Sequence, residues 1–306
     1  MQLLENGYID SNLSFYLLLE NVASLELGDA EFSSYFKSKT LQYHTRIEHG
    51  LSETLARFSE SRFYDLLNYA VQGGKRIRPL IVLLAYDAVG TAVPLIDDPL
   101  PAAIAVELLH TESIIHDDII DEDTFRRDRE AFHTRYGLGA SILSADFVLG
   151  IILDIASQYS DSRIGRELSK SVLRMSEGEF SELAIQKEKR KITSQEYIEI
   201  IGLKTASLFQ SSAKLGAIIA GGKQHTIESI SDFGLNLGIA YQVQDDLLDW
   251  NQKASLENAL GTEQKNLQKL SHDFAIRAKN SLANLADSDA KERLMELAEF
   301  AVRRSF

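Results

Sequence analysis

The sequence predicts an all-α fold, a single large helical bundle. Three observations carry that expectation. Long segments repeat apolar residues at helical spacing, and almost none alternate strictly as strands do. Only four prolines occur in 306 residues, and Pro94, Pro99 and Pro101 fall together in TAVPLIDDPLP, so the helical segments run uninterrupted. A hydrophobic content of 44% supports a substantial core.

Taken in chain order, residues 1–38 read as an N-terminal extension and 39–306 as the helical domain. GGKRIRPL (73–80) is a glycine turn with Pro79 opening the helix of LIVLLAYDAV. TAVPLIDDPLP is a loop, followed by a helix over AAIAVELLHTESIIHDDIID. GASILSADFVLGIILDIASQY, YIEIIGLKTASLFQSSAKLGAIIAGG and DFGLNLGIAYQVQDDLLD are further helices. Several are apolar nearly all round, as helices inside a bundle are. Apart from one aspartate pattern that occurs twice, no internal repeat is visible.

Composition excludes several classes. With no cysteine there is no disulfide framework, thiolate nucleophile or cysteine-ligated zinc. A net charge of −13 argues against nucleic acid as a partner. The N-terminus lacks the basic region of a signal peptide, and no apolar run is expected to span a membrane. A cytoplasmic location is expected.

The repeated pattern is D-D-x-x-D, and both copies are set among large apolar residues. Asp117, Asp118 and Asp121 lie in IIHDDIID; Asp245, Asp246 and Asp249 lie in YQVQDDLLDW. On a helix, i and i+4 share a face and i+1 lies about 100° round. A bundle can turn two such helices so that both sets of carboxylates line one cavity. Carboxylates crowded against isoleucine and leucine need a cation, and oxygen ligands that leave room for water and phosphate suit Mg²⁺. One such motif alone fits a solvated acidic face. Two embedded in apolar residues do not.

The basic residues suggest what the metal would hold. Lys75, Arg76 and Arg78 crowd a glycine turn at a helix start, which is an anion site. Arg126 and Arg127 follow the first motif and can either neutralise Asp121, Glu122 and Asp123 or fork onto phosphate. Lys204, inside IIGLKTASLF, is costly to bury without an anion. His110 sits two turns before Asp117 on the same face and by itself reads as a core histidine. Two acidic clusters with scattered cations suit a polyanionic ligand bridged by Mg²⁺.

GGKRIRPL, LLHTESIIHDDIIDEDTFRR, GLKTASLF and GIAYQVQDDLLD occur in the order and spacing of the trans-isoprenyl diphosphate synthases, or polyprenyl synthetases. SADFVLG, SEGEF and LMELAEFAVRRSF are weaker echoes, and the resemblance runs from about residue 45 to the C-terminus. It implies a homodimeric prenyltransferase of short-chain type, joining isopentenyl diphosphate to an allylic diphosphate (dimethylallyl, geranyl or farnesyl). By motif, Asp117, Asp118, Asp121, Asp245, Asp246 and Asp249 would bind three Mg²⁺ ions, with Mn²⁺ a possible substitute. Lys75, Arg78, His110 and Arg127 would hold isopentenyl diphosphate. Arg126, Lys204, Thr205 and Gln242 would line the allylic side, and Asp117, Asp118, Asp121, Lys204 and Asp245 would carry the catalysis. Glu112 and Ser113 would occupy the chain-length positions; Glu112 either turns aside to a partner or forms a polar floor that stops the product at farnesyl or geranylgeranyl size.

The chain departs from the pattern in two places. Asp128-Arg129-Glu130-Ala131 replaces the usual Gly-x-Pro-Thr turn, so a differently placed loop is expected. WNQKASLENALGTEQKNLQKL replaces a longer lysine-bearing segment, and neither Lys253 nor Lys265 matches the missing lysine by motif. Two other readings therefore stand beside the enzyme: a non-catalytic helper subunit of a heteromeric synthase, and a class I terpene cyclase. A cyclase would have no use for the GGKRIRPL anion site.

Overall fold

At three helix starts among the described residues a side chain satisfies a free amide of the first turn. In the structure, a computed structural model that describes residues 29–90, 97–248 and 264–303, Asp98 accepts a hydrogen bond from Leu100 N (3.0 Å) and so caps a helix that begins at Pro99. Asp161 does the same for Ser162–Glu188, through Arg163 N at 2.9 Å. Thr193 and Glu196 form a reciprocal capping box at the start of Ser194–Ile201.

The described helices are α1 (Asp29–Lys39), α2 (Leu41–Ala56), α3 (Tyr64–Val71), α4 (Ile77–Val89), α5 (Pro99–Ile120), α6 (Phe132–Tyr136), α7 (Leu138–Ser157), α8 (Ser162–Glu188), α9 (Ser194–Ile201), α10 (Ser207–Ile219), α11 (Gln224–Leu248), α12 (Gln264–Ser281) and α13 (Asp289–Arg303). The helices apolar all round take the centre. α4, with Leu80 to Ala85 fully buried, packs against α5, α10 and α13. α10 lies between α4, α8 and α11, and α11 pairs along its length with α12. The all-α expectation holds.

Four details differ from the sequence reading. Pro99 and Pro101, expected in a loop, form the first turn of α5, where their missing amides cost nothing. A short hairpin, β1 (Phe125–Arg126) with β2 (Arg129–Glu130), stands where no strand was expected. Arg127 and Asp128 at its tip have φ of 53° and 61°, as a two-residue turn matched to strand twist requires. α7 is long and apolar enough to cross a membrane by length and composition, because Asp146 and Asp154 do not bring down its mean hydropathy of 1.9. Its inner face (Ser144, Ala145, Val148, Ile151, Ile152 and Ile155) is nevertheless buried, largely against α5. Finally, residue 38 falls inside α1, whose Phe36 is buried and stacks on Phe300 of α13 at 5.3 Å.

Candidate active site

Asp117 and Asp118 leave α5 on different flanks, as residues one apart on a helix must. Asp117 lines a cavity of about 310 Å³ between α5 and α8, walled by Leu109, Val172, Met175 and Leu183. Burial raises its pKa from 3.8 to about 7; Glu179 and Asp121 push the same way, against Lys204. Asp118 is buried beside a smaller pocket and accepts a hydrogen bond from Arg126 Nε. Asp121 caps the end of the helix and is exposed.

Lys204 meets these acids from the opposite wall. Its ammonium lies 2.7 Å from both Glu179 Oε2 and Glu182 Oε2. Burial works against its charge, but Glu182, Asp117 and Glu179 together raise its pKa. Burial also raises the Glu182 carboxyl, which Lys204 only partly offsets. Glu179 and Glu182 had no role in the sequence reading. SEGEF was visible, but carboxylates at i and i+3 of a polar helix look like a solvated face until the partner lysine is placed.

The lysine is presented by an irregularity. Residues Gly202–Ala206, GLKTA, form one π-helical turn between α9 and α10, a distortion that often marks functional sites. The turn pushes its backbone against α8 at Gly178, where a Cβ would come within 2.3 Å of Lys204 N. The next residue reaches the second motif. Thr205 Oγ1 donates to Gln242 Oε1 (2.9 Å), and Gln242 Nε2 donates to Asp246 Oδ1 (2.7 Å). Tyr197 Oη donates to the other oxygen of Asp246. The π turn therefore connects the two aspartate motifs through adjacent residues. Asp249 lies outside the described residues, as do Trp250 and Lys253.

The cations collect on the other side of α5. Arg76 is committed to structure: it is buried and donates to Glu48 (2.7 Å), Glu107 (2.7 Å) and Val71 O (2.6 Å). Arg78 stacks over the Phe209 ring at 4.7 Å, and its buried Nε has no hydrogen-bond partner. Burial lowers its pKa, with Arg127 acting in the same direction against Tyr241, Glu107 and Asp245. Burial, then the charges of Arg78 and Arg127, hold His110 well below the usual imidazole range. It is neutral here. Lys75 stands exposed in the same turn, next to Gly73 and Gly74. Cations that repel one another at a helix start make a seat for an anion.

Glu112 and Ser113 both line the 310 Å³ cavity. Glu112 Oε1 pairs with His116 Nδ1 at 3.2 Å on its own helix, and Ser113 Oγ donates to His110 O at 2.9 Å.

Among the described residues, no three acidic or histidine side chains stand close enough to hold a metal ion by themselves. The donor set nevertheless fits a hard divalent cation. Asp117, Asp121, Glu179 and Glu182 outnumber Lys204, and burial, with Glu179 and Asp121, raises the Asp117 pKa, so a further cation would favour its ionised form. Mg²⁺ is ordinarily bound by one or two carboxylates with phosphate and water completing its shell.

Residues 60–269 match the polyprenyl synthetase family. The chain belongs to the polyprenyl synthetase family. The chain is 34% identical over 211 residues to a geranylgeranyl diphosphate synthase of Methanosarcina mazei, covering 67% of this chain and 64% of that synthase. It thus spans less than two thirds of that relative's length. A geranylfarnesyl diphosphate synthase of the same organism is 30% identical over 84% of this chain and 87% of its own. Among solved structures, polyprenyl synthase from Caulobacter crescentus, complexed with calcium and isoprenyl diphosphate, superposes with a TM-score of 0.76 at 26% identity. That superposition covers 88% of this chain and 98% of that one.

Proposed function

We propose that this polyprenyl synthetase family member is a prenyltransferase, condensing isopentenyl diphosphate with an allylic diphosphate to make a short-chain trans-prenyl diphosphate. The observation that carries the reading is the arrangement around α5: acids and an apolar cavity on one flank, an arginine cluster on the other. Two diphosphates and one hydrocarbon tail need that layout. The allylic C–O bond breaks with both electrons leaving on diphosphate. The isopentenyl double bond then attacks the allylic carbon, and a proton is lost to the departed diphosphate.

The residues divide that work. Lys204 and Arg126 face the departing charge, stabilising it as it develops. Thr205 and Gln242 fix the geometry beside Asp246. Lys75, Arg78, His110 and Arg127 hold isopentenyl diphosphate, and the missing partner of Arg78 Nε is what an incoming phosphate oxygen would supply. Leu109, Val172 and Met175 exclude water from the tail and the carbocation. A divalent cation, Mg²⁺ or Mn²⁺, held by Asp117, Asp121 and the second motif would neutralise the leaving diphosphate; the calcium and isoprenyl diphosphate of the Caulobacter protein support that pairing.

Glu112, on the cavity wall with its charge satisfied by His116, supports a polar stop and hence a product of farnesyl or geranylgeranyl size. A homodimer is supported by large exposed side chains on neighbouring helices: Leu153 of α7 is 62% exposed, Leu173 and Phe180 of α8 67% and 72%. The deciding experiment incubates the purified chain with labelled isopentenyl diphosphate, each allylic primer in turn and Mg²⁺, and sizes the products. A prenyl diphosphate of 15 or 20 carbons is expected; no elongation by the chain alone would overturn the assignment in favour of a helper subunit.

A further inference from the structure

The hairpin after the first aspartate motif is strained, and its neighbours show what holds it. Arg127 and Asp128 both occupy the left-handed region, at φ of 53° and 61°. Glycine or asparagine is favoured at such positions, and here arginine and aspartate stand there. Such a conformation persists only where the surroundings over-determine it.

Arg129 supplies that constraint. Its Nη1 donates to Gln72 Oε1 at 3.0 Å, and its Nη2 to Tyr69 O at 3.1 Å and Gln72 O at 3.2 Å. Gln72 is the C-terminal cap of α3, so the guanidinium bonds carbonyls at the end of that helix, of which Tyr69 O also accepts from Gln72 N at 3.4 Å. The same guanidinium stacks over the Tyr69 ring at 4.4 Å, and Tyr69 Oη donates back to Glu130 O at 2.7 Å. Both ends of β2 are thereby tied to α3. Two residues upstream, Arg127 lies across the glycine turn, its Nη1 2.9 Å from where a Cβ on Gly74 would stand.

We propose that Arg129 is a positioning residue for the diphosphate seat formed by the glycine turn and the arginine cluster. It clamps the hairpin to the end of α3, and the clamp aims Arg127 over Gly74 toward Arg78 and His110. The proposal rests on the reading of that seat as the isopentenyl diphosphate site. The hairpin also carries Arg126, which pairs with Asp118 on the other flank, so removing the clamp weakens isopentenyl diphosphate more than the allylic ligand.

The test is calorimetric binding to the full chain, with circular dichroism confirming the fold of each variant. Arg129→Ala should raise the Kd for isopentenyl diphosphate about tenfold while raising that for a non-reacting allylic thiodiphosphate with Mg²⁺ clearly less, by about threefold at most. Arg129→Lys should not restore it, because one ammonium cannot span three acceptors on two residues and stack as well. Adding Asp128→Gly to Arg129→Ala should recover part of the loss by making the turn easier without the clamp, a rescue that a general loss of stability would not show. Arg127→Ala separates the two failures. If it leaves isopentenyl diphosphate binding unchanged, the seat itself is misassigned. If it weakens binding while Arg129→Ala does not, or if Arg129→Ala weakens both ligands equally, the positioning role is overturned.

Discussion

Asp117 holds its proton far more tightly than an ordinary aspartate, at about 7 against 3.8, chiefly through burial. Below about pH 4 the group is protonated folded or unfolded. As pH rises toward 7 the unfolded chain releases the proton first, so ionising Asp117 costs the fold stability, and that cost is complete above 7. In metal-free buffer Asp117→Asn should therefore melt above wild type at pH 8, with the gap narrowing at pH 5.5. Turnover should fall about 10²-fold or more. A melting gap that does not depend on pH would contradict the burial argument. Glu112→Ala, which opens the cavity beyond Ser113, should lengthen the products at similar turnover; unchanged lengths on sizing would place the stop elsewhere. Both motifs were legible as residues, because charge among large apolar residues stands out in a string of letters; Glu112 and Ser113 drew notice only through the family resemblance. Glu179 and Glu182 were not, since nothing in SEGEFSE separates an acid facing Lys204 from one facing water.

Among the elements, the π turn Gly202–Ala206 decides the most. It carries Lys204 toward the first motif and Thr205 toward the second, and it is seated against α8 only because residue 178 has no side chain. Gly178→Ala would press a methyl group into backbone at Lys204 N and Cα, at 2.3 and 2.7 Å, where no side chain can swing away. The expected cost is about 1–3 kcal/mol in denaturant melts, together with a drop in turnover as Lys204 shifts. An unaffected variant would mean that the two backbones separate easily. No local signal in GLKTA marks a π turn. Its spacing continues the helical pattern on both sides, and the wider turn is forced by contact with α8. The hairpin at 125–130 was equally hidden: the departure at Asp128-Arg129 was visible, but its docking on α3 depends on residues about 60 positions away.

Across the whole molecule, charge is arranged so that neither ligand fits well alone. The acidic flank carries more carboxylates than Lys204 can neutralise, and on the basic flank Arg78 and Arg127 repel one another. Mg²⁺ and a non-hydrolysable allylic diphosphate analogue together should raise the melting temperature by more than the sum of their separate effects, because each supplies the other's missing charge and both bind the native state. A merely additive shift in differential scanning fluorimetry would count against a bridged site. The apolar surface of α7 and α8 makes a second expectation at this scale. Leu153→Glu with Leu173→Glu should convert a dimer to a monomer in light scattering, since two buried charges outweigh the apolar area they replace; a dimer of undiminished stability would move the interface elsewhere.

Helical periodicity and the near-absence of alternation determined an all-α bundle, because those are properties of neighbours in the chain. The two D-D-x-x-D motifs and the basic glycine turn likewise pointed to a cation and a polyanionic ligand, since carboxylates and cations set in apolar segments need partners wherever they fold. Only the tertiary structure decided how the charges pair. It turned Asp117 into the cavity and Asp118 toward Arg126, assigned Arg76 to Glu48 and Glu107 while leaving Arg78 Nε without a hydrogen-bond partner, and set Glu179 and Glu182 opposite Lys204. Each of those choices is a contact between residues remote in the chain, made where helices cross, and the energy that selects it exists only after the bundle has closed.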